Sequence, residues 1–132
     1  MSPHQYLHPA GLHVNPAYSH VVAATGSRLI HTAGQVPLDE HGNLAGPDLE
    51  AQAMQCFRNI GLALAGAGAG YGDVVKITIF VAGYQPEHRA VIGRARARFF
   101  PEGVPPASTL LGVASLAVPE WLCEIEAVAV TA

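Results

Sequence analysis

Residues 74–82 and 122–130 are β-prone runs in which neither side is plainly wet. In the first, Val75, Ile77, Ile79 and Val81 fall on one face, and Val74, Lys76, Thr78 and Phe80 on the other. In the second, Cys123, Ile125, Ala127 and Ala129 share a face, with Leu122, Glu124, Glu126, Val128 and Val130 opposite. A strand that buries one side alternates apolar with polar residues, because successive side chains point to opposite faces. These runs carry apolar residues on both, so each face of their sheet needs cover. Helices can supply that cover on one side. A large exposed apolar patch is unfavourable on a lone chain, so the other side is expected to meet further copies of the same chain. Any pocket then lies between subunits.

The elements around these runs define an α+β domain. Residues 20–24 and 28–34 are short β-prone runs joined by Thr25, Gly26 and Ser27, which reads as a hairpin. Residues 35–46 form a loop. Pro47 and Asp48 suit a helix start. Leu49, Ala53, Cys56, Phe57, Ile60 and Leu64 then recur every three or four positions, the stripe of an amphipathic helix that Gly66, Gly68 and Gly70 end. A second helix starts near Pro86, with Val91, Ala95 and Phe99 toward the core and Arg89, Arg94, Arg96 and Arg98 mostly outward. Residues 107–116 form a further strand. The expected order is β-β-α-β-α-β-β, a mixed sheet with both helices on one face.

Composition narrows the function classes. The 132 residues fit one domain, residues 1–132. Half of them are hydrophobic and 13% are charged, a deficit of charge that burial between subunits explains. A net charge of −3 and a pI near 6.1 disfavour nucleic acid and anionic lipid, which reward a basic excess. Gly and Pro interrupt every stretch that could approach the ~18 apolar residues of a membrane span, and no secretory leader is visible. A cytoplasmic location is expected. Cys56 and Cys123 sit among apolar residues and read as buried free thiols, not as a disulfide or a metal site. The seven histidines show no metal-ligand spacing and read mostly as surface residues.

Candidate chemistry gathers at strand ends. Tyr18, the run Thr32-Ala33-Gly34-Gln35, the run Pro105-Pro106-Ala107-Ser108-Thr109, and Glu124 are the residues concerned. Gly34 lets a ligand approach the backbone, and the stiff Pro-Pro-Ala entry aims Ser108 and Thr109 at a pocket. Each of these is equally readable as a turn residue. Glu124 stands in an otherwise apolar strand, a setting that suits proton transfer but also a structural pairing with an arginine.

In order and spacing, His-Thr-Ala-Gly-Gln-Val-Pro at 31–37, Gly-Asp-Val-Val-Lys-Ile-Thr-Ile-Phe-Val at 72–81, Pro-Ala-Ser-Thr-Leu at 106–110 and Glu-Ile-Glu-Ala-Val-Ala-Val at 124–130 resemble the RidA/YjgF family of reactive-intermediate deaminases. The likeness runs from about Tyr18 to the end. It implies a chorismate-mutase-like fold, a homotrimer, small-molecule clefts between subunits, and no metal or organic cofactor. It also implies that Tyr18, Gly34 and Glu124 occupy pocket positions, Glu124 beside the water that hydrolyses a 2-imino acid. Ala33, Gln35, Gly93, Ala107 and Thr109 join the substrate-binding set, and Ser108 joins Glu124 as catalytic.

Three positions depart from the family pattern. Ser108 stands where deaminating members place a carboxylate-binding arginine, Ala33 replaces a serine, and Gly93 replaces an asparagine. The first matters most, since a bidentate Arg–carboxylate contact supplies both affinity and orientation. A serine hydroxyl offers a hydrogen bond worth about 1 kcal/mol, against ~1.5–3 for one to a charged group. The expectation is therefore a cofactor-free hydrolase or tautomerase for an imine, enamine or related reactive metabolite, not a standard 2-imino acid deaminase. The alternative is a non-catalytic trimer that binds a metabolite. RNA cleavage, attributed to some relatives, is disfavoured by the acidic balance and the lack of a basic stripe interleaved with aromatics.

Overall fold

In the computed structural model, which describes residues 3–132, the apolar stripe folds as α1, Leu49–Gly66. The Asp48 side chain caps it, accepting from the Ala51 N–H at 3.3 Å. Beyond the last turn, Gly68 takes a φ of +75°, a left-handed conformation that favours glycine. Ala53, Cys56, Phe57, Ile60 and Leu64 have no solvent-exposed surface. Burying a side chain of the larger kinds contributes about 1.5–3 kcal/mol. Gln52 is equally buried, and the stripe read from sequence passes it over. Its amide nitrogen donates to Gly46 O at 2.9 Å and Glu120 O at 3.1 Å, while its oxygen accepts from Leu122 N at 2.7 Å. The side chain thus pins two loops to the helix.

The strands are β1 (Gln5–Leu7), β2 (Val21–Ala23), β3 (Arg28–His31), β4 (Val74–Ala82), β5 (Ala107–Val113) and β6 (Cys123–Thr131). The second helix, α2, spans His88–Ala97. A four-stranded sheet has the order β3-β6-β4-β5, in which only β4 and β5 run parallel. Both helices pack on one of its faces, so the mixed sheet and α+β class read from sequence are found. The element order gains one strand, β1.

That extra strand accompanies a correction. The runs either side of Thr25-Gly26-Ser27 do not form a hairpin ladder: β2 pairs with β1, and β3 pairs with β6. The turn itself is docked on the end of β6. Ser27 N donates to Thr131 O at 3.0 Å, and Gly26 lies so near that carbonyl that a Cβ would collide with it. β3 is thereby delivered to the β6 edge. His4 holds β1 in place, accepting from Thr25 N at 3.1 Å and lying 3.2 Å from Val130 O through its other ring nitrogen. His4 is buried, while the other histidines are exposed or partly exposed, in line with the expectation that most lie at the surface.

Two more readings change. A bulge between Val74 and Lys76 puts Val74, not Val75, into the core beside Ile77, Ile79 and Val81. On α2, Ile92 joins Ala95 as a buried residue, and Arg96 turns inward to become half-buried. Cys56 and Cys123 are free and buried as expected, with their sulfurs 3.6 Å apart. The hydrogen bond between them and the loss of water push the Cys56 thiol far up. Among the described residues, no helix is long and apolar enough to cross a membrane.

Candidate functional site

Strand register divides the expected site residues between the two faces of the sheet. Ser108 is level with Ile77 and Leu110 with Ile79, so both lie on the face that carries the helices. Glu124 is level with Phe80, and Thr109 with Thr78, which puts them on the uncovered face. Within one chain, Ser108 and Glu124 therefore point away from each other.

On the helix side, a cavity of about 480 Å³ opens between the β5 edge and α2. Tyr18, Gly93, Ser108 and Thr109 line it. Tyr18 reaches Ser108 across ninety positions of sequence because Ser19 ties its segment to the start of β5. The Ser19 hydroxyl donates to Pro105 O at 2.6 Å, and its N–H donates to Pro106 O at 3.2 Å. Ala107 bridges Ser19 in the same junction and is not part of the cavity wall. Tyr84, Arg89 and Arg96 also line it, beside His20 and apolar residues such as Ile79, Ile92 and Leu110, and none of these was singled out as a site residue. The signal was present: positions 89, 93 and 96 fall on one stripe of a helix. Burial holds the Arg96 guanidinium below the usual arginine range, and the neighbouring charge of Arg89 acts in the same direction.

Ala33, Gly34 and Gln35 continue from β3 along β6, and Gly34 falls on the uncovered side. Gln35 N donates to Ile125 O at 2.6 Å, and Ile125 N returns a bond to Gln35 O at 3.0 Å. This pairing slides Gly34 beneath the Glu124 carboxylate, where a Cβ on residue 34 would collide with it. Only glycine lets the carboxylate lie against the backbone there. Among the described residues, the Glu124 carboxylate has no hydrogen bond or ion pair. Thr109 also belongs to this face, its hydroxyl accepting from Lys76 Nζ at 2.6 Å. Phe80, Leu111, Val128 and Val130 surround these groups and are half-buried, while Leu29 is 66% exposed. Among the described residues, no group of three His, Cys, Asp or Glu side chains is arranged to hold a metal ion.

Comparison with known proteins agrees with the motifs. The family model described as endoribonuclease L-PSP matches residues 10–131. A 2-iminobutanoate/2-iminopropanoate deaminase of Salmonella typhimurium is 36% identical over 107 residues, 80% of this chain and 80% of that protein. A RutC family protein of Synechocystis is 34% identical over 115 residues, 86% of this chain and 85% of the relative. In three dimensions the chain is similar to the Rid family protein YyfB of Yersinia pestis, a protein described as of unknown function. That match has a TM-score of 0.91 at 35% identity and covers 96% of this chain and 98% of the other.

Proposed function

The chain belongs to the endoribonuclease L-PSP family, which includes Rid and RutC proteins and deaminases of reactive imines, and from that premise we propose a cofactor-free hydrolase or tautomerase for a small imine or enamine, working in clefts between three identical subunits. The observation that carries the reading is the unpartnered Glu124 carboxylate folded over Gly34, on a sheet face that no helix covers. A carboxylate held this way can take a proton from water as the water attacks a C=N carbon. The nitrogen then leaves as ammonia and a carbonyl remains. Without water, the same group can move a proton between carbon and nitrogen and so tautomerise an enamine.

Opposite-face placement gives the reason for several subunits. Tyr18 and Ser108 belong to a pocket at the β5 edge, and Glu124 to the open face, so a complete site takes its two halves from different copies. The apolar residues of the open face supply the contact. Ser108 in place of the family's arginine directs the site away from standard 2-imino acids.

Glu124→Gln keeps the shape of the side chain and removes its basicity. Loss of a general base typically costs 10²–10⁴-fold in rate, and unchanged turnover of a genuine substrate would overturn the mechanism. Mixing tests the shared site. Ser108→Trp blocks one half and Glu124→Gln disables the other, and each alone should be inactive. Refolded together they should recover about a quarter of the sites, the fraction random assortment gives when each site draws on two chains of a closed ring. No recovery would place both halves within one chain. Stoichiometric binding without turnover would leave a metabolite-binding trimer.

A further inference from the structure

The α2 side of the β5-edge cavity carries positive charge with no acidic side chain in the cavity wall. Arg89 and Arg96 both line it, and no acidic side chain does. Among the described residues, neither guanidinium has a hydrogen bond or an ion pair. Arg94, on another side of the same helix, is paired with Glu50 at 3.1 Å. The chain thus neutralises one arginine of α2 and leaves two like charges facing a shared space.

The helix gives that space its shape. Arg89 and Arg96 are two turns apart, about 10 Å along the axis, and Gly93 lies between them on the same stripe. A Cβ at Gly93 would meet nothing within 4 Å, so the missing side chain leaves a notch between the two cations. Across the cavity stand Tyr18, Tyr84 and Ser108, and among the described residues the Ser108 hydroxyl makes no hydrogen bond. Two guanidinium groups flanking a notch, with hydroxyl groups opposite, offer forked N–H donors to oxyanions together with neutral donors for the rest of a small molecule.

We propose that this notch binds a small dianion, with Arg89 and Arg96 gripping its oxygens from either side of Gly93 and Ser108 and Tyr18 facing it. The inference rests on the reading of this cavity as part of the substrate cleft and names the substrate class: a metabolite with two negative charges, recognised by α2 in place of an arginine at position 108.

Calorimetric titration of the full chain tests it, with succinate and inorganic phosphate as dianion probes and neutral succinamide as the control. Saturable binding of succinate or phosphate, and none of succinamide, is expected. Arg96→Ala and Arg89→Ala should each weaken binding at least tenfold, whereas Arg94→Ala, which removes the same charge from outside the cavity, should leave it unchanged. Phosphate bound as tightly as succinate assigns both arginines to one compact oxyanion. Succinate bound more tightly assigns one carboxylate to each, and either result supports the proposal. Gly93→Leu fills the notch without altering charge and should abolish binding even if an arginine variant fails to fold. No binding of either dianion, or wild-type affinity in Arg96→Ala, overturns it. Because the succinate titration reads binding without turnover and the Glu124→Gln assay reads turnover without the dianion probe, the dianion site and the hydrolytic reading can fail separately.

Discussion

The two faces of the four-stranded sheet are made from alternate residues of the same strands, yet they meet opposite conditions. On the helix side, Ile77, Ile79, Val81, Cys123 and Ile125 are completely buried against α1 and α2. On the other side, Phe80, Val128 and Val130 are half-buried, Leu29 is largely exposed, and Lys76, Glu124 and Glu126 interrupt the apolar surface. The sealed face is complete within one chain. The open face carries apolar residues set among a few charges, which the proposed assembly would cover. Its one carboxylate that leans on glycine has no hydrogen bond or ion pair among the described residues. Side-chain parity thus gives each strand one face closed by helices and one left open.

Three substitutions probe that separation, ordered by their expected effect on stability. Ile60→Ala opens a cavity under the sealed face and should lower unfolding free energy by about 2–5 kcal/mol in chemical denaturation. A smaller loss would mean that this layer is loosely packed. Gln52→Leu keeps the volume but leaves Leu122 N and two loop carbonyls unsatisfied, a loss of about 1–3 kcal/mol. Activity should fall with it, because the loop Gln52 holds leads into β6 just before Glu124. On the open face, Leu29→Glu should alter the stability of the sealed core by no more than about 0.5 kcal/mol, read from hydrogen exchange in α1. It should still dissociate the proposed assembly in sedimentation. A wild-type protein that sediments as a monomer would break the comparison, since the open face would then have no cover.

How far the fold could be read in advance depends on how local its cause is. The α1 stripe was legible because burial of Leu49, Ala53, Cys56, Phe57, Ile60 and Leu64 follows from the 3.6-residue period of one helix. The neighbouring Gln52 was not, since a polar residue beside an apolar stripe declares nothing about three partners elsewhere. In β4 the alternation was right except at its start, where the bulge moved Val74 inward. The hairpin reading failed for a different reason. A Thr-Gly-Ser turn is compatible with pairing its flanks, and the β6 edge and the N-terminal strand each claimed one flank instead.

The candidate site divides in the same way. Gly34 and Glu124 stood out from their own strands and motifs, and they meet on the open face. Tyr18 and Ser108 were placed together by their resemblance to a family pattern, and Ser19 supplies the bonds that bring them there. Arg89 and Arg96 were read as a solvated face, although the cavity they flank exists only once β5 has paired with β4.

Taken alone, the order of amino acids determined both helices and the central strands, that those strands are apolar on both faces, and that Glu124 lies opposite the core. These follow from the fixed periods of the backbone, which assign each side chain a direction before anything else has folded. Tertiary packing alone decided which edges pair, which arginines face a cavity, and that Ser108 and Glu124 look out on opposite sides of the sheet. Those outcomes depend on competition among distant segments for the same edges and surfaces, and only the whole packed chain resolves it.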